Sequence, residues 1–287
     1  MSDSNRADSG GGGATSALPG GVWVLGLGSM LMDISSELVH SLLPVLLASV
    51  LGASMIAIGV IEGVAEATAA VARVFSGALS DRLGRRKPLV VLGYGLAALT
   101  KPVFALAGSV GWVFAARFVD RIGKGIREAP RDALLADIAP RARRSAAYGL
   151  RQALDSVGAF LGPLAALGLL YATGGDIRGA LWVAVVPAVA AVALLGLGVR
   201  EPPGPPGASD ARAPFVLTDA KRLGGAYWAV VSFGGVLALA RFSEAFLVLR
   251  ARDVGLAIAW APAVMVLMNL VYAAAAYPAG AAGDRAS

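Results

Sequence analysis

The sequence predicts an all-α polytopic membrane protein, and three observations carry that prediction. Of the 287 residues, 57% are apolar and 15% charged, with a mean hydropathy of +0.70. Apolar runs of about twenty residues, the length that crosses a hydrocarbon core of about 30 Å, alternate with short polar turns. One short loop also occurs twice: Gly77-Ala78-Leu79-Ser80-Asp81-Arg82 follows one apolar stretch and Gly280-Ala281-Ala282-Gly283-Asp284-Arg285 follows another. The shift that carries Asp81 onto Asp284 also carries Gly52 onto Gly255. So long a repeat in an apolar chain points to transporter halves related by duplication rather than to a solenoid. The second half is expected to be cut short.

Residues 1–20 are rich in Gly and Ser and lack the basic start and small-residue cleavage site of a signal peptide, so a disordered tail is expected there. Apolar spans are predicted at roughly 21–49, 54–79, 88–107, 111–135, 146–172 and 179–199, and then at roughly 225–249 and 256–280. Between the sixth and seventh, the segment EPPGPPGASDARAP combines Pro, Gly and small polar residues and reads as a linker. The domain organisation expected is therefore a tail (1–20), a six-helix bundle (21–200), a linker (201–224) and a partial second bundle holding helices seven and eight (225–287).

Basic residues set the expected orientation. Arg82, Arg85, Arg86 and Lys87 follow span two, Arg141, Arg143 and Arg144 follow span four, and Arg200, Arg212, Lys221 and Arg222 line the linker. By the positive-inside rule these segments are cytoplasmic, as are both termini, although Arg250 and Arg252 after span seven run against it. The net charge of +6 thus reflects membrane orientation, and no nucleic-acid partner is expected. Without cysteine there is no disulfide or thiolate metal site, and the lone His40 cannot build a zinc centre without several carboxylates, so no metal is expected. No nucleophile elbow, phosphate loop or HExxH spacing occurs, which argues against an enzyme.

Charge at the bilayer centre costs roughly 2.5–3.5 kcal/mol on insertion scales, so each buried ionisable residue needs a partner, a wet cavity or a function. Span one carries Asp33, Glu37 and His40 at i, i+4 and i+7, on one helical face. Span two carries Glu62 and Glu66 on one face and Arg73 two turns on. Span four has a stripe of Arg117, Asp120, Arg121 and Lys124; span five has Arg151 and Asp155; span seven has Arg241 and Glu244. Span six is free of charge and span three holds only Lys101, so these two are expected to face lipid while one, two, four and five enclose a polar interior. The plain structural reading is that acids and bases pair to hold the bundle. Acids gathered on one face of span one favour a transport pathway for the cluster as a whole.

The segment GALSDRLGRRK, which contains Gly77, Asp81, Arg82, Gly84, Arg85 and Arg86, resembles the loop-two signature of the major facilitator superfamily. RFVDRIGKG resembles the helix-four signature of the same superfamily, with Arg117 on its membrane-embedded arginine and Arg121 where that pattern has glycine. On span five, Gly149, Gly158 and Gly162-Pro163 resemble the signature of proton-coupled antiporters, lacking only its final glycine pair. Small residues there would let a neighbouring helix approach closely, and Pro163 would break the hydrogen-bond ladder and bend the helix. Family members have twelve helices in two six-helix bundles, so the resemblance implies the first bundle, the linker and the first two helices of the second.

That resemblance implies a secondary transporter that rocks two bundles about a midplane site, a proton-coupled exporter of a small molecule; an importer of the same fold and a non-transporting remnant are the alternatives. Asp33, Glu37, Glu66 and Asp155 are the proton-coupling candidates, since an acid among apolar neighbours can load and release a proton. Arg117, Asp120, Arg121 and His40 are candidates for substrate binding or charge relay. Gly77, Asp81, Arg82, Gly84, Arg85 and Arg86 would form a cytoplasmic gate, and replacing Lys101 is expected to matter less than replacing Glu37 or Glu66. The expected setting is a bacterial inner membrane with the lipid bilayer as partner. No cofactor is expected beyond the proton gradient, and a second polypeptide would supply the missing helices.

Overall fold

The computed structural model describes residues 18–202, 224–240, 243–272 and 274. Most of the N-terminal tail, most of the linker, Arg241 and the second copy of the repeated loop lie outside the described residues. Within them the chain is helical: α1 (Gly20–Val45), α2 (Met55–Leu83), α3 (Lys87–Leu106), α4 (Val110–Ile138), α5 (Arg144–Ala172), α6 (Ile177–Val183), α7 (Val185–Gly198), α8 (Gly225–Ala240), α9 (Ala245–Asp253) and α10 (263–272). Among the described residues, five elements are long and apolar enough to cross a membrane: α1 with the π-helical turn Leu46–Val50 that continues it, α2, α3, α5 with the turn before it, and α6 with α7. α4 misses the criterion although it is 29 residues long, and it lies between α2 and α3.

Local chemistry explains the ends. The Ser54 hydroxyl accepts from Ala57 N–H at the start of α2, and Gly84, at φ 63°, ends the same helix in the left-handed conformation that suits glycine. Asp176 caps α6 by accepting from Gly179 N–H at 2.9 Å. Gly52 and Gly255, the pair related by the internal shift, both have positive φ, 65° and 102°, and each follows a helix end.

Three expected spans are divided differently in space. Span six is two helices meeting at Ala184, three residues before Pro187, and the Ser35 hydroxyl of α1 donates to the Ala184 carbonyl at 2.7 Å. Span seven is α8 and α9, with Glu244 at the cap of α9 rather than inside a helix. Span eight opens with the 3-10 turn Ile258–Trp260 before α10.

Glycines set how closely the helices pack. A Cβ on Gly123 of α4 would lie 2.7 Å from the Gly93 carbonyl oxygen of α3, and one on Gly125 would lie 2.6 Å from the Ala69 carbonyl oxygen of α2. On α5, a Cβ at Gly158 would meet the Met30 carbonyl oxygen at 2.7 Å, and one at Gly162 the Ile34 carbonyl oxygen at 2.7 Å. Thus α4 is clamped between α2 and α3, and α5 lies against α1. Of the antiporter-like glycines, Gly149 has open space around it, so the close approach expected of all three belongs to Gly158 and Gly162 alone.

Pro163 lies inside an unbroken α5, whose ladder lacks the bond from residue 163 to the Ala159 carbonyl. Asn269 of α10 fills that vacancy, donating to Ala159 O at 2.8 Å across 110 residues of sequence. Nearby, Ala245, Val248 and Leu249 of α9 join Leu42, Leu43 and Leu46 of α1 in one apolar core.

One end of the bundle gathers the basic turns. Arg86 pairs with Asp137 at the end of α4 (3.0 Å) and faces Asp81 (3.9 Å), while Glu201, after α7, accepts from the Arg86 and Lys87 N–H groups at the start of α3. At the other end, Arg178 donates to the Ala105 and Ala107 carbonyls where α3 finishes.

Candidate functional site

A cleft opens between α1 and α4, lined by Asp33, Ser36, Glu37 and His40 on one wall and Asp120, Arg121, Lys124 and Arg127 on the other. The i, i+4, i+7 pattern on α1 puts its three ionisable groups on one face, and the periodicity of α4 does the same for its stripe. Five sequence candidates therefore meet at one place: Asp33, Glu37, His40, Asp120 and Arg121.

The remaining candidates occupy distinct positions around it. Arg117 is buried beneath the cleft with its Nη2 2.8 Å from Glu62 Oε2, and His40 bridges towards both Glu62 (3.7 Å) and Glu37 (3.8 Å). Glu66 stands at the rim, its side chain 63% exposed, 3.3 Å from Arg121. Asp155 holds Arg151 of α5 at 2.6 Å, outside the lining of the cleft. The gate residues lie at the basic end: Gly84 ends α2, Asp81 and Arg86 belong to the cluster with Asp137, and Arg82 and Arg85 are exposed. A Cβ at Gly77 would touch the Ala129 side chain at 3.4 Å, ordinary contact, so this glycine marks where α2 passes α4.

Sequence reasoning placed Lys101 on a lipid-facing span and passed over two arginines. Although α3 does face outward along Leu92, Leu99 and Leu106, its other side carries Lys101 inward. The ammonium is buried, 2.9 Å from Asp120 Oδ1 and 3.2 Å from the Ser36 hydroxyl. Removing either partner would leave a buried charge uncompensated, so Lys101, expected on a lipid-facing span, serves the interior of the bundle. The α4 stripe also continues through Arg127 and Arg131. Arg131 donates to the Ser29 hydroxyl at 2.7 Å, and Arg127 stacks on the Tyr94 ring, 4.4 Å from its centroid, with Asp33 at 4.0 Å. Both continue the i+3, i+4 spacing, which was the available signal.

Ion pairs tie α4 to its neighbours: to α2 through Glu62–Arg117, Glu66–Arg121 and Arg73–Glu128, to α3 through Lys101–Asp120, and to α1 through Asp33–Arg127. A carboxylate-bearing wall facing a cation-bearing wall can bind a charged solute and exchange protons through the acids.

Comparison with known proteins agrees with this architecture. A family model described as Major Facilitator Superfamily matches residues 25–287. An uncharacterized protein of Mycobacterium tuberculosis is 39% identical over 197 residues, covering 68% of this chain and 47% of the relative. An uncharacterized MFS-type transporter of Methanocaldococcus jannaschii is 33% identical over 273 residues, covering 92% of this chain and 66% of the relative. Among solved structures, a bacterial homologue of the human lysosomal transporter Spinster, inward-facing and occupied, superposes with a TM-score of 0.61 at 20% identity, over 84% of this chain and 56% of that one. The chain thus spans about half the length of the mycobacterial relative and two thirds of the archaeal one. With its family model matched along nearly the whole sequence, this multi-pass membrane protein belongs to the major facilitator superfamily.

Proposed function

We propose that the chain forms the substrate-binding half of a proton-coupled secondary transporter of a small molecule, working as an exporter. The observation that carries this reading is the α1–α4 cleft, in which Asp33 and Glu37 face Arg121, Lys124 and Arg127 within the span of the bundle. An acid and a cation that face each other across a cavity can trade partners as a proton and a solute come and go. Residues 21–200 act as one bundle that rocks against a second, joined by the linker at 201–224. The end that carries Arg82, Arg85, Arg86, Arg141 and Arg143 lies in the cytoplasm by the positive-inside rule, in a bacterial inner membrane. Export rests on the likeness of Gly158, Gly162 and Pro163 to the antiporter signature.

A second reading, uptake of an anion together with protons, is favoured by one contact. Asp33 is the carboxylate facing Arg127, and its protonation would free the guanidinium for a substrate, so proton and anion would bind together.

Both readings are tested in inside-out vesicles holding a trapped pH dye, with the chain alone and with the chain fused to the C-terminal helices of the Methanocaldococcus relative. Adding membrane-impermeant benzenesulfonate, phenyl phosphate or benzyltrimethylammonium to an active exchanger alkalinises the lumen, whereas co-transport acidifies it. D33N or E37Q should abolish the pH change while leaving insertion intact. A response from the fusion that both variants preserve in full would remove proton coupling from these acids.

A further inference from the structure

We propose that Arg127, with Lys124 one turn before it, forms an oxyanion subsite in the α4 wall that takes the phosphate, sulfonate or carboxylate group of a small organic anion. This deepens the reading of the α1–α4 cleft as the substrate site and rests on it.

The Arg127 side chain is only 4% exposed, yet its Nε and Nη1 have no hydrogen-bond partner, and its Nη2 stands 4.0 Å from Asp33, outside hydrogen-bond range. Its neighbours are better served: Lys101 has Asp120 at 2.9 Å, Arg117 has Glu62 at 2.8 Å and Arg131 has Ser29 at 2.7 Å. Burying charged donors without acceptors is costly, and a guanidinium matches the two oxygens of an oxyanion in a planar fork.

The chain also holds that fork in place. The Gly93–Gly123 crossing brings α3 so close that a Cβ on Gly93 would lie 2.7 Å from Arg127 Cβ, and Tyr94, the next residue on α3, covers one face of the guanidinium. With a face on the ring, the guanidinium keeps its donors in its own plane, and Arg127 belongs to the lining of the cleft.

Lys124 lines the same cleft at i−3, and its facing carboxylate, Glu128 at 3.9 Å, is already engaged by Arg73. Asp120 is held by Lys101, and Glu37 sits beside His40, so each of these acids has its own partner. Only Asp33 competes for Arg127, from beyond hydrogen-bond distance.

The test is direct binding to the purified 287-residue chain in detergent, by thermal shift and titration, at constant ionic strength set with sodium chloride. Benzenesulfonate and phenyl phosphate are expected to raise the melting temperature, while neutral benzenesulfonamide and cationic benzyltrimethylammonium are not. R127Q should weaken anion binding at least tenfold, R127K less because it keeps charge without the fork, and K124Q severalfold. R141Q, at an exposed arginine in the turn before α5, should bind as the unmodified chain does. K124Q alters a partly exposed side chain, so it keeps the question open to experiment if R127Q does not fold. Chloride matching the organic anions, the cation binding in their place, or K124Q and R127K both binding anions at full strength would overturn the subsite. Anion binding without any pH-linked flux would leave the subsite standing and remove proton coupling; flux with no dependence on Arg127 would do the reverse.

Discussion

The fourth and sixth spans differ more than any other two regions of this molecule. α6 and α7 carry one charge between them, Arg178 at the start of α6, and pack through Ala180, Leu181, Ala184, Ala188, Ala191 and Leu195. They sit against α1 and α3 as a scaffold. α4 carries Arg117, Asp120, Arg121, Lys124, Arg127, Glu128 and Arg131 in its middle and falls short of the apolarity that marks the other spans, yet Arg117, Asp120, Arg121, Arg127 and Arg131 are buried. Apolarity therefore identifies what touches lipid and says little about what lies inside. A helix as charged as α4 stays in the membrane because α1, α2 and α3 supply partners for its charges, and that arrangement leaves a cleft instead of a dry core.

The sharpest way to break the contrast is to remove one partner of α4's most buried pair. K101A or D120A should lower stability by roughly 3–5 kcal/mol, since each strands a charge, whereas the double variant should recover much of the loss. Thermal unfolding in detergent gives the three values; equal losses in single and double variants would show that the pair does not act as a unit. Next in size is the glycine contact that seats α5 on α1. G162A should cost about 1–3 kcal/mol because its methyl meets the Ile34 carbonyl, while G149A, with open space around it, should change stability little. The smallest effect concerns the junction of α10 with α5. N269A should cost on the order of 0.6 kcal/mol, an average interhelical hydrogen bond in a membrane protein. P163A restores the N–H that can reclaim the Ala159 carbonyl, so N269A should cost less in that background.

Much of this architecture was legible in the sequence because its signals were periodic. The face of α1 with Asp33, Glu37 and His40, the α4 stripe from Arg117 to Lys124, and Gly158 and Gly162 all follow helical spacing, and the structure brings each to a helix contact or the cleft. What escaped were positions whose meaning depends on a distant partner. Lys101 is a single cation on an apolar helix, and only Asp120 across the α3–α4 contact explains it. Arg127 follows the resemblance to the helix-four signature by two residues, and its seat depends on Tyr94 and the Gly93–Gly123 approach. Asn269 gains its role from a proline on another helix, far away in sequence. The division of span six at Ala184 was hidden because continuous apolarity masks a helix break that Pro187 alone only hints at.

The central claim is that the space between α1 and α4 is a wet passage for solute while the outer face of α3 is not. The chain has no cysteine, so single thiols can be placed without further engineering. S36C lies in the cleft lining, and L99C lies on the outward face of α3, where Leu99 is 69% exposed outside the bundle core. The direct measurement is the rate at which each thiol, in membranes, reacts with a water-soluble anionic methanethiosulfonate reagent, with and without benzenesulfonate. The account predicts rapid labelling of S36C that benzenesulfonate slows, and an inert L99C. An unreactive S36C beside a reactive L99C would contradict it.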